Sequence, residues 1–148
     1  MKAKDLMTKS PVCCSTDDTA QDAARAMRDC DCGIIPIVEA GSQRVVGVVT
    51  DRDIAIRAVA DGKSGDTPLR DIMTASPSCC GPDSDVRDVE RTMADRQVRR
   101  VVIVNADGRA EGIVAQADIA RAANRGRSQD ITEQEVGLLL ETISQPAR

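Results

Sequence analysis

Thr50 and Asp53 stand three residues apart in Gly47-Val48-Val49-Thr50-Asp51-Arg52-Asp53-Ile54, a hydroxyl and a carboxylate with the cation Arg52 between them. A carboxylate accepts from both hydroxyls of a vicinal diol, and a threonine hydroxyl donates or accepts beside it. The hydroxyl and the acid therefore fit the holding of a small polar ligand. Thr and Asp at this spacing also cap helices, and the two roles can coexist. A second stretch, Gly112-Ile113-Val114-Ala115-Gln116-Ala117-Asp118-Ile119, keeps the acid as Asp118 but has Ala115 in place of the hydroxyl. One hydrogen bond, worth about 0.5 to 1.5 kcal/mol, is missing there, so a second site should be weaker or differently selective. Asp118 alone is equally a helix-start residue.

Other chemistry is poorly supplied. The chain has no His, the commonest general base and metal ligand, and shows no nucleophile–base pair, so no catalytic residue is assigned. Six cysteines fall as Cys13-Cys14, Cys30-Asp31-Cys32 and Cys79-Cys80. Adjacent strand residues face opposite ways and zinc sites prefer spacers of two to four residues, so the cysteines read as buried free thiols and no metal ligand is assigned. If any cysteines serve a redox or metal role instead, Cys30 and Cys32 are the least unsuited to it.

Each stretch is a β-branched run entering a polar turn and then a helical pattern, which sets hydroxyl and acid where strand meets helix. The repetition extends further. Asp5-Leu6-Met7-Thr8, Ser10-Pro11 and Cys13-Cys14 recur 66 residues later as Asp71-Ile72-Met73-Thr74, Ser76-Pro77 and Cys79-Cys80. By the Gly47 and Gly112 stretches the offset is 65, so the second copy has lost one residue.

With 148 residues the chain makes one ordinary domain or two small halves, and a half of about 60 to 65 residues is marginal alone. A net charge of -4 and a pI near 4.9 argue against phosphate-neutralising binding of nucleic acid. The absence of Phe, Trp and Tyr removes stacking platforms, so any bound nucleobase must lie between aliphatic walls. No apolar run reaches the ~18 to 20 residues of a membrane span, and Met1-Lys2-Ala3-Lys4-Asp5 leads into no signal-like segment; a soluble, cytoplasmic protein is expected.

Within the first copy, Pro11 biases Ser10 toward extended geometry, and Val12 to Ser15 reads as a short strand. Thr19 with Asp22 caps a helix whose inward stripe is Ala20, Ala23, Ala24 and Met27. Ile34 to Val38 and Val45 to Val49 are paired buried strands, and a helix from Arg52 presents Ile54, Ala58 and Val59 before stopping near Gly62. The second copy repeats the order: a strand at Ser78 to Cys80, a helix with Val86, Val89 and Met93 inward, Val101 to Val104, a turn at Asp107-Gly108, Gly112 to Ala115, and a helix to Gly126. The expected fold is α/β of the α+β kind: a βαββα unit at 1–62, a linker at 63–70, a second unit at 71–126, and a tail at 127–148. In the tail, after a polar break at 125–129, the capping box Thr132-x-x-Glu135 precedes a stripe of Val136, Leu139, Leu140 and Ile143 that ends before Pro146. That stripe must bury itself on its own domain or across a subunit interface.

The tandem units, each opening with Asp-(Leu/Ile)-Met-Thr and closing with Gly-(Val/Ile)-Val-x-x-x-Asp-Ile, closely resemble a pair of CBS domains over roughly residues 3 to 125. The resemblance implies two units packed sheet to sheet about a pseudo-twofold axis, a homodimer, and clefts holding adenine nucleotides or related adenosyl compounds: AMP, ADP, ATP, NAD or S-adenosylmethionine. No cofactor is required, Mg²⁺ being an optional companion of ATP. It assigns ribose contacts to Thr50 and Asp53, with Asp118 the second acid; adenine contacts to Val12, Cys13, Ile35 and Pro36; and phosphate contacts to Arg99 and Arg100, with Arg52 a further candidate. Gly33 and Ile34 occupy the corresponding arginine positions in the first unit, so the anion-binding charge is lopsided. Two functions from different classes follow: a regulatory sensor of an adenosyl ligand, or a ligand-free scaffold that docks an unknown protein through the C-terminal helix.

Overall fold

Each copy is built on a capped helix. In α2 (Ala20–Cys30) the Thr19 hydroxyl accepts from the Asp22 N–H at 3.2 Å, while the Asp22 carboxylate accepts from the Thr19 N–H at 2.9 Å. Those two bonds hold the Asp22 carboxyl below the usual carboxylate range. Ala20, Ala23 and Met27 are buried as expected, but Ala24 is exposed, because it lies at the edge of the stripe its neighbours define. In the second copy Asp85 caps α4 (Val86–Arg96), and Val86, Val89 and Met93 are all fully buried. The computed structural model describes residues 1–125 and 132–145.

One sheet runs β2-β3-β4-β5: β2 (Cys14–Ser15) lies parallel to β3 (Ile34–Val38), and β4 (Val45–Thr50) is antiparallel to β3 and to β5 (Thr74–Ala75). All five residues of β3 are buried, as its unbroken apolar run requires of a strand covered on both faces. The other sheet runs β1-β8-β7-β6, from β1 (Thr8–Lys9), β8 (Ala110–Ala115), β7 (Arg100–Val104) and β6 (Cys79–Cys80).

The copies exchange their opening segments. The chain forms two compact bodies, one of Ser10–Pro77 with Asp107–Ala110, the other of Met1–Lys9, Ser78–Ala106 and Glu111 onward. Thus α1 (Ala3–Leu6) and β1 join the second copy, β1 pairing with β8, and β5 at the head of the second copy pairs with β4 of the first. The repeat boundaries drawn from the sequence follow similarity; the bodies follow packing. Leu69, placed in the linker, opens a short 3₁₀ turn (Leu69–Asp71) and is fully buried in the first-copy core.

This exchange explains why a glycine in one motif accompanies a methionine in the other. A Cβ on Gly47 would stand 2.7 Å from Met73 Sδ and 2.9 Å from the Thr74 carbonyl oxygen, and one on Gly112 would stand 2.9 Å from Met7 Cβ. Each glycine lets the opening segment cross its strand at close range.

Several local expectations are corrected. Ser10 is not extended: it and Ser76, each before a proline, have φ of 54° and 53°, so both copies leave their opening strand by the same left-handed turn. After α3 (Asp51–Asp53) the helix widens to i→i+5 bonding over Ile54–Val59, followed by a further such bond from the Lys63 N–H to the Ala58 carbonyl at 2.9 Å. The wider turn keeps Ala58 inside but swings Val59 out to 70% exposure. Cys30 and Cys32 are disulfide-bonded rather than free, because Asp31, left-handed at φ 51°, folds the chain back at the end of α2 and brings their Cα atoms to 5.4 Å. Of the other four, Cys14 is buried and Cys13, Cys79 and Cys80 are half-buried.

The counterpart helix α5 (Gln116–Asn124) is regular. The tail forms α6 (Glu133–Ser144), capped reciprocally by Thr132 and Glu135, and buries Val136, Leu139 and Ile143 in the core of its own body; Leu140, expected in that stripe, is exposed. Residues 126–129 and Pro146 lie outside the described residues.

Candidate ligand site

Thr50 ends β4 opposite Ile34, and the Asp51 N–H donates to the Gly33 carbonyl at 3.1 Å, which fixes the strand-to-helix junction. The Asp53 N–H donates to Thr50 Oγ1 at 3.1 Å and the Thr50 N–H to Asp53 Oδ2 at 3.0 Å. The capping role is therefore realised, and capacity remains: the Thr50 hydroxyl keeps its proton to donate, and among the described residues Asp53 Oδ1 has only Arg57 Nε at 3.8 Å, with the carboxylate side chain 16% exposed. Arg57 is held in turn by its Nη1, which donates to the carbonyls of Ile72 and Met73, both at 3.3 Å. Sequence reasoning missed Arg57; its i+4 spacing from Asp53 was the available signal.

Around this junction, Val12 and Cys13 lead into β2, whose parallel register (Cys14 beside Ile37) brings them toward Pro36 and Ile35. Successive residues of β3 face opposite ways. Ile35 packs fully buried in the core with Ala23 and Leu69, so it has only its main chain to offer a ligand, whereas Pro36 turns to the other face. Cys13 contributes an apolar surface: burial pushes its thiol up, and Cys14 beside it is pushed up to about 11, first by burial and then by nearby Asp18 and Asp22. The Arg52 side chain is exposed and has no ion-pair partner among the described residues.

The second-copy junction is tied differently. Asp118 Oδ2 accepts from the Ala115 N–H at 2.8 Å, but no hydroxyl returns the bond, and Oδ1 pairs with Arg121 Nη1 at 3.1 Å. Arg99 is exposed, its carbonyl accepting from the Gln116 N–H at 2.9 Å, and Arg100, the first residue of β7, is half-buried. Neither guanidinium has an ion-pair partner among the described residues, which leaves both available to an anion. Gln116, not singled out from the sequence, keeps Nε2 buried without a partner among the described residues. Thus Val12, Cys13, Ile35, Pro36, Thr50, Arg52 and Asp53 belong to one body, and Arg99, Arg100 and Asp118 to the other. No cluster of three or more Cys, Asp or Glu placed to hold a metal occurs among the described residues.

The model of the CBS domain family matches residues 3–59 and again 69–125. The chain belongs to the CBS domain family. The CBS domain-containing protein YhcV of Bacillus subtilis is 38% identical over 117 residues, covering 79% of this chain and 81% of that one. Among solved structures, Hypoxic Response Protein I with two coordinated zinc ions is 33% identical with a TM-score of 0.73, covering 82% of this chain and 98% of that one. The CBS domain pair of protein MJ0100, in complex with 5-methylthioadenosine and S-adenosyl-L-methionine, is 26% identical with a TM-score of 0.76, covering 86% of this chain and 98% of that one. The α+β architecture seen here is that of CBS pairs. No helix among the described residues is long and apolar enough to cross a membrane.

Proposed function

We propose that this CBS pair is a regulatory module whose first copy binds an adenosyl compound at the Thr50–Asp53 junction. The observation that carries this is the junction itself: a fixed carboxylate and hydroxyl, each with hydrogen-bonding capacity to spare, at the end of a strand pair walled by aliphatic residues. Asp53 Oδ1 and the Thr50 hydroxyl take the ribose diol, Pro36, Val12 and Cys13 flank the adenine, and Arg52 meets a charged 5′ substituent. The adenosyl complex of the MJ0100 pair supports the ligand class.

Occupancy regulates only if two states of the module differ in affinity for the ligand, so a change of shape or of partner affinity belongs to the proposal. A cytoplasmic homodimer is the acting form, checked by light scattering with and without ligand. Calorimetry with S-adenosylmethionine, 5-methylthioadenosine, AMP, ADP and ATP should give saturable heat with at least one. Because the chain lacks Trp and Tyr, carry-over ligand should also appear as absorbance near 260 nm, identifiable by mass spectrometry. Silence in both would favour the scaffold reading, to which Ala115 and the Arg121-bound Asp118 already lean in the second copy.

A further inference from the structure

The Cys30–Cys32 bond sits at the C-terminal turn of α2, with Cys30 exposed and Cys32 half-buried; of the free thiols Cys14 is buried and Cys13, Cys79 and Cys80 are half-buried, so Cys30 is the one exposed cysteine among the described residues. The second copy supplies an internal control. There the turn is Arg96-Gln97-Val98, with no cysteine, yet Gln97 takes the same left-handed φ of 51° as Asp31. The Val98 N–H reaches the Met93 carbonyl at 3.0 Å, as the Cys32 N–H reaches the Met27 carbonyl at 3.0 Å. The backbone therefore makes this turn without a disulfide. Joining residues two apart also closes the shortest of loops, where chain-entropy stabilisation is smallest. Neither the geometry of the turn nor the stability of the fold calls for the bond, and its exposure leaves it open to attack.

We propose that Cys30 and Cys32 form a reversible thiol–disulfide exchange site for dithiols, independent of ligand binding at the Thr50 junction. A dithiol's thiolate attacks Sγ of Cys30, the more exposed residue of the two; the Cys30–Cys32 bond breaks, and Cys32 leaves as a thiolate and takes a proton. The second thiolate of the reagent then attacks its own sulfur in the mixed disulfide and expels the Cys30 thiolate, which is protonated. The protein gains two electrons and two protons, and the dithiol becomes a disulfide. The turn keeps its backbone bonds in both states.

The test uses the full chain. Air-oxidised protein is alkylated in denaturant and mapped by mass spectrometry; native protein is equilibrated across ratios of reduced to oxidised dithiothreitol and mapped in the same way. The oxidised protein should show four alkylated cysteines and a peptide spanning 30–32 two hydrogens lighter than its reduced form. The series should give one reversible two-electron transition confined to that peptide, with the thermal midpoint nearly unchanged between its ends. Cys30→Ser should abolish the transition and stay folded. Six alkylated cysteines in the oxidised protein, a bond reducible only after unfolding, or a transition persisting in Cys30→Ser would each overturn the assignment.

Discussion

The two strand-to-helix junctions share a backbone plan and differ in their side-chain ties. At the first, Thr50 and Asp53 cap each other and the far oxygen of Asp53 is held only loosely, at 3.8 Å, by an arginine one helical turn on. At the second, Ala115 returns no bond to the Asp118 N–H, and the far oxygen of Asp118 is engaged by Arg121 at 3.1 Å. The helix that follows is widened by i→i+5 bonding at the first and regular at the second. Duplication kept the frame in both copies, but only one keeps a hydroxyl–acid pair with capacity for a ligand.

The shared frame is where substitution should cost most. Gly47→Ala and Gly112→Ala drive a methyl into the crossing segment, Gly47 against the Thr74 carbonyl and Gly112 against Met7. Each should destabilise by about 1 to 3 kcal/mol in urea unfolding, as overpacking does. Equal tolerance of alanine at both would mean that the opening segments do not cross there.

A smaller effect separates the junctions. Thr50→Ala should cost about 1 kcal/mol by removing the cap, and Ala115→Thr should gain a similar amount by completing the second one. If Ala115→Thr destabilises, the second junction is not a cap waiting for its hydroxyl.

The smallest effect is a pH term of the second-copy body. Burial, then the charge of Glu135, pushes the Glu90 carboxyl up, with Arg87 opposing the shift and Asp85 adding to it, and Glu90 Oε1 has no partner among the described residues. A carboxyl raised on folding binds more protons in the native state, so its contribution to stability falls as pH rises through the interval from the ordinary glutamate value to the raised one. Glu90→Gln should therefore exceed wild type in thermal midpoint at pH 7, with the gap closing toward pH 4. Glu135, held below its usual range by the Thr132 cap, works in the opposite sense: its contribution is present above the ordinary value and is lost as pH falls.

Much of this is legible in the sequence. The offset repeats carried the order of elements, and the caps at Thr19 and Thr132 formed as spaced, because these signals are local. The exchange of opening segments was hidden: Met7 and Gly112 are far apart in sequence, and nothing local says which copy's strand a short segment will join. The Cys30–Cys32 bond is not legible in the spacing, because it depends on the left-handed turn of Asp31 at the end of α2, which no local signal specifies. At the first junction, Thr50 and Asp53 are readable from residue type, whereas Arg57 offers only its i+4 spacing from Asp53, because its hold depends on carbonyls of a segment that arrives by the same exchange.

The most direct test of the account is a side-by-side calorimetric titration of one adenosyl ligand, S-adenosylmethionine or whichever co-purifies, into wild type, Asp53→Ala and Asp118→Ala, each checked for folding by circular dichroism. Losing hydrogen bonds to a charged group costs about 1.5 to 3 kcal/mol, so Asp53→Ala should weaken binding roughly 10- to 100-fold while Asp118→Ala changes it far less. A folded Asp53→Ala protein that binds as tightly as wild type would contradict it.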